Sequence, residues 1–408
     1  MMSKIQVNSE IGKLKTVLLH EPGEELHNLT PKHLDDLLFD DIPWLPLAKK
    51  EHQQFAQTFI DNGVKVVYLT DLVKEALDTS LEVKQQFIQQ FVREANINSV
   101  TLSQVVIDYL SSFKDTKALV LKTIAGIKKN ELPNYQKRTL RDIVDEESFA
   151  TNPMPNLYFQ RDPFACIGNM VSLNSMYSIT RSRETIFGEY IFKYHPEYKN
   201  TKLLYNRDDV KSIEGGDIMV LNSQTLILGS SQRTTPVAIE NLAKNLFFKE
   251  KTTFESIIVL FIPKARTFMH LDTIFTQVDK NKFTIHKECY ESLKIIEIKK
   301  GDGRLMVKEL SEELKDVLER YIGEEVILIP CGGEDLISAQ REQWSDGSNT
   351  IAIAPGKVIA YERNDITNNA LRKFGVEVFE IPSSELSRGR GGPRCMCMPL
   401  EREDIEND

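Results

Sequence analysis

One pattern recurs along this chain and limits the folds open to it. An extended run carrying a charged residue meets a turn, and a second apolar run comes back. Segment 157–162 leads to Cys166-Ile167 and Ser172-Leu173, and segment 212–220, with Glu214-Gly215-Gly216-Asp217, returns as 225–228. Segment 270–275 returns as 282–285, and 349–353 turns at Pro355-Gly356 to return as 358–361. With a hairpin expected near Val17 the units number five, and several continue into a helix and a further strand, as 368–374 and then 376–381. Repeats of one supersecondary unit point to radial or solenoid assembly, since a single unit cannot bury its apolar face alone. Identity between the units is low, so hairpins in an ordinary α/β sheet are the competing reading.

One block departs from this texture. Only Gly126 lies between Gly63 and Gly168, and only Pro133 between Pro46 and Pro153. Phe87, Ile88, Phe91 and Val92 repeat at helical spacing, as do Leu102, Val105, Val106, Tyr109 and Leu110, with Thr101 and Gln104 in capping-box register. The expected organisation is an all-helical insert over 72–148, flanked by 1–71 and 149–408 as two parts of one α/β body.

Composition narrows the function classes. Lys and Arg number 51 against 60 Asp and Glu in 408 residues, a net charge of −9 without a basic block. Such a chain is a poor match for a phosphate backbone, so no nucleic-acid partner is expected. No apolar run approaches the roughly 20 residues needed to span a bilayer. The first residues turn polar at once, so a secretory signal is not expected. Five cysteines, at 166, 289, 331, 395 and 397, fit neither a disulfide framework nor a zinc motif. The reading is a reduced, cytoplasmic, soluble protein.

Four constellations could carry chemistry. Cys395 follows Arg390-Gly391-Gly392-Pro393-Arg394, a stretch whose glycines leave room for a close ligand and whose arginines favour thiolate over thiol. It reads as a nucleophile or as a small buried hydrophobe. In His270-Leu271-Asp272, strand geometry would place imidazole and carboxylate on one face, as a general base beside an anchor for a cation, or as a pair on a solvated edge. The spacing matches no compact metal motif. Glu214-Gly215-Gly216-Asp217 offers an accessible carboxylate or a plain tight turn. Asn156, Phe159, Arg161 and Asp162 offer a binding face or a strand-end ion pair. In a radial assembly equivalent positions converge, and Asp162, Glu214, His270 with Asp272, and Cys395 would form one site.

Taken in order, these motifs resemble the arginine deiminase family over nearly the whole length. The resemblance rests on His20-Glu21-Pro22-Gly23, Phe39-Asp40-Asp41-Ile42, Phe159-Gln160-Arg161-Asp162-Pro163 and Glu214-Gly215-Gly216-Asp217. It continues through Met269-His270-Leu271-Asp272-Thr273, Arg341-Glu342-Gln343-Trp344-Ser345-Asp346-Gly347 and the run from Arg390 to Cys395. It implies a pentein-like, five-bladed, pseudo-symmetric α/β propeller with a helical insertion. It also implies hydrolysis of L-arginine to L-citrulline and ammonia, with no metal or organic cofactor.

By this resemblance Asp162 and Asp272 take the N–H groups of the guanidinium, Cys395 attacks its carbon, and His270 serves as acid and then base. Glu214 orients the histidine. Arg181 and Arg233 bind the substrate carboxylate with Asn156 beside them, Phe159 packs on the aliphatic stem, and Arg390 sits on a mobile loop. Cys397 stands where a small hydroxyl residue is commoner in the family. A homo-oligomer is expected. The rival readings are another guanidine hydrolase or an amidinotransferase, or a non-catalytic arginine-binding or adhesion role.

Overall fold

Short strands rich in valine, isoleucine and leucine alternate with helices, and the computed structural model describes residues 4–405 apart from 98, 134, 138–139, 145–146, 266 and 291. Four sets of strands share one construction, an antiparallel pair whose second strand also runs parallel to a third. They are Phe164–Ile167, Met170–Leu173 and Lys202–Tyr205; then Ile218–Asn222, Thr225–Ser230 and Ser256–Phe261. Next come Phe275–Asp279, Lys282–Ile285 and Ile327–Pro330, followed by Ile351–Ala354, Lys357–Tyr361 and Glu377–Ile381. Parallel neighbours need a crossover, and a helix lies in each of these: Thr185–Tyr194, Pro236–Lys244, Leu314–Ile322 and Asp365–Lys373.

A fifth set repeats this order with a different origin for its first strand. No hairpin forms near Val17. Leu14–Leu19 pairs antiparallel with Met398–Arg402 from the far end of the chain, Val17 opposite Pro399, and parallel with Lys65–Tyr68 after the helix Leu45–Asp61. The hairpin Lys294–Lys300 and Leu305–Leu310 widens the second set by pairing antiparallel with Ser256–Phe261. Its outer strand is mostly exposed, and charges such as Lys308 and Glu309 interrupt the apolar pattern that marks the other strands.

Three of the expected strands begin later than the sequence suggests. Tight single turns occupy Pro155–Tyr158, Gly215–Asp217 and Leu271–Thr273, and the strands start only at Phe164, Ile218 and Phe275. His270 and Asp272 therefore do not share the face of a strand. The turn between them sets their directions instead.

The interval from Leu69 to Thr151 holds the helices Leu69–Leu77, Leu81–Glu94, Val100–Ser111 and Thr116–Ala125, and then a short pairing of Ile127–Lys128 with Phe149–Thr151. The N-cap of Val100–Ser111 is Ser99, whose Oγ accepts the Leu102 N–H, so the cap falls two residues before the expected Thr101. Phe87, Ile88, Phe91 and Val92 are buried and join the same apolar cluster as Phe187 and Tyr190 of the neighbouring strand set. Each such side chain contributes about 1.5–3 kcal/mol of burial, which binds the helices firmly to the sheets. Among the described residues no helix is long and apolar enough to cross a membrane.

Candidate functional site

Each strand set is entered through a short lead-in, and the lead-ins carry the chemistry. Asp162 precedes Phe164, Glu214 precedes the turn into Ile218, and His270 and Asp272 precede Phe275. Asn349 precedes Ile351, and Cys395 precedes Met398, the strand that completes the fifth set. These residues, scattered over 162–395, come into contact. Asn349 Nδ2 donates to Cys395 Sγ at 3.2 Å, and Cys395 Sγ lies 3.6 Å from Asp272 Oδ2. His270 Nδ1 lies 3.9 Å from Asp162 Oδ1, and His270 Nε2 lies 2.8 Å from Glu214 Oε2.

Close packing fixes the histidine. A Cβ on Gly216 would sit 2.6 Å from His270 Cγ, so only glycine lets the imidazole lie against this turn. Asp217 fastens the same loop, taking the Leu271 N–H at 2.8 Å and the Ser231 hydroxyl at 2.6 Å. A carboxylate can only accept, so Nε2 carries a proton toward Glu214 and Nδ1 remains for other partners. Burial disfavours the imidazolium, yet Asp162, Glu214 and Asp217 outweigh it and raise the His270 pKa to about 9. For Glu214, burial is outweighed by Arg233 and His270, and its pKa falls to about 2. At neutral pH the pair is imidazolium and carboxylate.

The thiol is in the opposite condition. Burial and the negative fields of Asp272, Asp162 and Asp346 push the Cys395 thiol well above its ordinary range. This corrects the expectation that neighbouring arginines favour thiolate. Arg394 is fully buried and turned away, spending its charge on Glu10 through Nε and Nη2 at 3.1 Å each and on Asp272 through Nη1 at 2.8 Å. Arg390 stacks on Trp344, its guanidinium carbon 3.4 Å from the ring centroid, and faces Asp40 at 3.5 Å.

The two aspartates share one arrangement. Asp162 Oδ2 takes Arg181 Nη1 at 2.7 Å and Asp272 Oδ2 takes Arg394 Nη1 at 2.8 Å, while Oδ1 of each is buried without a hydrogen-bond partner. A buried carboxylate oxygen left bare costs free energy that a cationic donor would recover.

Among the other expected binding residues, Arg181 is already neutralised, gripping Glu184 through Nε and Nη2 besides Asp162. Arg233 is less committed. It lies over Tyr177 and 3.8 Å from Glu214, with Nε and Nη1 buried and without hydrogen-bond partners. Asn156 donates its amide to Leu37 O at 2.6 Å. Phe159 is buried, and its ring closes on Gly391, where a Cβ would approach to 2.3 Å. Asn156, Phe159, Asp162, Arg181, Arg233, His270, Arg390 and Cys395 all line one cavity, together with Leu38 and Gly389. Its free volume is about 30 Å³, room for little more than a water.

Some contributors escaped the sequence reading. Asn349 had been seen only as the start of a strand, and Arg394 only as a nearby charge. Arg161, noted beside Asp162, is a brace: its N–H donates to Cys395 O at 3.0 Å and its Nε to Arg394 O at 3.2 Å. The signal available in sequence was position, since Asn349 stands before its strand as Asp162 does before its own. Asp162, Glu214 and His270 each place a ligand atom within 4.8 Å of the others and could in principle hold a cation.

Cys397 does not share the cavity. Its thiol donates to Pro393 O at 3.3 Å, and burial, only partly offset by Arg161, Arg402 and Arg394, pushes its pKa up to about 11. Cys397→Ser is expected to keep most activity, because a hydroxyl can make the same bond. An inactive Cys397→Ser protein in a citrulline assay would mean that the wrong thiol has been chosen.

The model of a family described as arginine deiminase matches residues 35–402. An arginine deiminase of Treponema denticola is 54% identical over 409 residues, covering 99% of this chain and 100% of the relative. That of Clostridium perfringens is 51% identical over 407 residues, covering 98% of each chain. Among solved structures, the amidinotransferase SxtG of Microseira wollei matches with a TM-score of 0.55 at 15% identity, covering 99% of each chain. Dimethylarginine dimethylaminohydrolase from Pseudomonas aeruginosa, complexed with citrulline, matches with a TM-score of 0.50 at 15% identity, over 95% of this chain and 99% of that one. At such identities the likeness is one of fold, the α/β pentein fold.

Proposed function

The chain belongs to the arginine deiminase family and hydrolyses L-arginine to L-citrulline and ammonia, and we propose that it does so through a covalent amidino-cysteine intermediate built on Cys395. The observation that carries this route is the pair of bare, buried Oδ1 atoms on Asp162 and Asp272, beside one thiol and one imidazolium. A guanidinium is a planar cation and a poor electrophile. Two carboxylates can hold it by charge-assisted bonds and fix its carbon against the sulfur.

The bound cation also changes the thiol. The negative field that keeps Cys395 protonated is cancelled when a guanidinium settles between the aspartates, so the thiol gives its proton to water as substrate enters and thiolate forms. Attack on the central carbon gives a tetrahedral adduct. His270, charged at neutral pH, gives the Nδ1 proton to the departing ammonia. Now neutral, it takes a proton from water, which attacks the amidino-thioether; the C–S bond then breaks as the new hydroxyl loses its proton to solvent, releasing citrulline and the Cys395 thiolate. Glu214 holds the ring and stabilises its charged form. The roles of acid, base and nucleophile are filled by side chains, so the route calls for no cofactor.

Arg233 is the residue best prepared for the substrate carboxylate, since its buried Nε and Nη1 lack hydrogen-bond partners and Nη2 reaches only Met269 Sδ at 3.6 Å. This favours arginine over agmatine, which has no carboxylate. Phe159 packs on the aliphatic stem, and Arg181 and Asn156 complete that end of the site. With only about 30 Å³ free, admission of substrate requires some of the lining residues to move aside. Incubation with L-arginine, agmatine and methylated arginine, measuring ureido product and ammonia, tests the substrate. Turnover of agmatine in preference to L-arginine would overturn this reading of Arg233, and preference for methylated arginine would overturn the choice of guanidine.

The acid role has a pH signature. In the substrate complex, where the thiolate is already formed, the acid must stay charged, so kcat is expected to fall at high pH as His270, its pKa raised by Asp162, Glu214 and Asp217, loses its proton. Glu214→Gln removes a negative partner, lowers the histidine pKa and moves this descending limb to lower pH. A limb that stays in place in the variant assigns it to another group.

The five strand sets read as blades of a propeller around this site, with 72–148 as a largely helical insertion between Lys65–Tyr68 and the set that begins at Phe164. Assembly into a homo-oligomer in the cytoplasm completes the proposal. Light scattering over a range of concentrations decides the assembly, and a monomer throughout would exclude it.

A further inference from the structure

The residue nearest to Cys395 Sγ is not one of the acids or the histidine. Asn349 is fully buried and grips the nucleophile twice: its Oδ1 accepts the Cys395 N–H at 3.0 Å and its Nδ2 donates to Cys395 Sγ at 3.2 Å. The orientation of the amide is fixed by chemistry. A backbone N–H can only donate, so the oxygen must face it, and the NH2 group is left for the sulfur. Nδ2 also donates to Asp272 O at 3.2 Å, which ties the lead-in of the guanidinium-binding carboxylate to that of the thiol.

The surroundings are shaped to bring this amide in. A Cβ on Gly392 would lie 2.7 Å from Asn349 Cβ, so glycine at 392 is what permits the approach. On the other side Asn349 N–H donates to Asp346 O at 3.0 Å, and Asp346 holds a left-handed backbone with φ of 61°. That conformation is strained for a residue other than glycine and persists only where its surroundings enforce it. Asn349 occupies in the fourth strand set the lead-in position that Asp162 occupies in its own, two residues before the first strand.

We propose that Asn349 is a catalytic residue of this enzyme, whose carboxamide N–H stabilises the developing Cys395 thiolate while its carbonyl fixes the thiol's backbone. This rests on Cys395 as the nucleophile, and it assigns the fourth strand set a share in the chemistry. The thiol needs such a donor because burial and the acids around it oppose ionisation, and the Gly392 backbone bond offsets them only in part. Asp272, Asp162 and Asp346 present negative charge, and Arg394 and Arg390 are turned to other partners. Substrate supplies a cation on one side of the sulfur. Asn349 supplies a fixed dipole on another, requiring no reorganisation when charge appears.

Two variants separate this role from a merely structural one. Asn349→Ala removes both bonds; Asn349→Asp keeps an acceptor for the Cys395 N–H but loses the donor to sulfur and adds negative charge. If the donor to sulfur matters, kcat falls about ten- to a hundredfold in Asn349→Ala with KM changed much less, and Asn349→Asp is slower still. The ascending limb of kcat against pH moves to higher pH in Asn349→Ala, because the thiolate is harder to form. If Asn349 serves only to hold the backbone, Asn349→Asp outperforms Asn349→Ala, and that order overturns the proposal. So does an ascending limb that stays in place in a folded Asn349→Ala protein. Alkylation of Cys395 by iodoacetamide in Cys395-intact and Cys395→Ser proteins keeps the premise distinct. If another thiol proves to be the nucleophile, the premise fails and this inference goes with it.

Discussion

Cys395→Ser is expected to show no measurable citrulline formation while still binding L-arginine. A serine hydroxyl is a far weaker nucleophile than a thiolate and needs a base to take its proton. None is ready: His270 is already charged at neutral pH, and Glu214 is occupied in holding it. The loss should be at least ~10⁴-fold, the scale seen when a covalent nucleophile is removed and binding is left in place. Binding survives because Asp162, Asp272 and Arg233 are untouched. Single-turnover assays and calorimetric titration check the two halves of this expectation. Substantial turnover by the serine protein would mean that Cys395 does not form the intermediate.

Arg233→Ala is expected to damage use of L-arginine far more than use of a small guanidine without a carboxylate. Losing a charge-assisted bond at a desolvated site costs about 2–5 kcal/mol, much of it from leaving the partner charge unpaired. That is a fall on the order of 30- to several-thousand-fold in kcat/KM. A guanidine lacking a carboxylate never made the bond, so its poor rate should hardly change. A matching control removes a guanidinium anchor, so that both compounds fail together. Asp272→Ala would do so, but it also strips a partner from the buried Arg394. Asp162→Asn is the cleaner choice, since Arg181 retains Glu184. Equal slowing of both compounds by Arg233→Ala would reassign that arginine to the reacting end.

The sequence made the residue types of the site legible because guanidinium chemistry needs a narrow kit: a thiol, an imidazole and paired carboxylates. It made the strand–turn–strand rhythm legible because buried strands are apolar on both faces. What stayed hidden was direction. His270 and Asp272 looked like strand neighbours, yet the turn Leu271–Thr273 decides where they point. Arg394 looked like a source of thiolate because sequence shows that a charge is near but not what it faces; its charge is held by Glu10, 384 positions away. Asn349 carried no ionisable group and drew no attention, although its place before a strand was visible. The pairing of Leu14–Leu19 with Met398–Arg402 could not be read locally, since apolar strands carry no mark of their distant partners.

That pairing has a bearing on how the molecule is made. While the chain is being synthesised, Leu14–Leu19 emerges early and must wait for almost the entire polypeptide before Met398–Arg402 arrives to cover its edge. An uncovered strand edge is a template for pairing with other chains, so the newborn protein carries a sticky margin until its last strand is in place. The thiol rides on the segment that ends this wait, since Cys395 lies just ahead of Met398. A chain cut short before Cys395 lacks both the cover for its first sheet and the sulfur that attacks. Activity and topological closure are thus acquired in a single late event, and a half-finished copy is inert toward arginine.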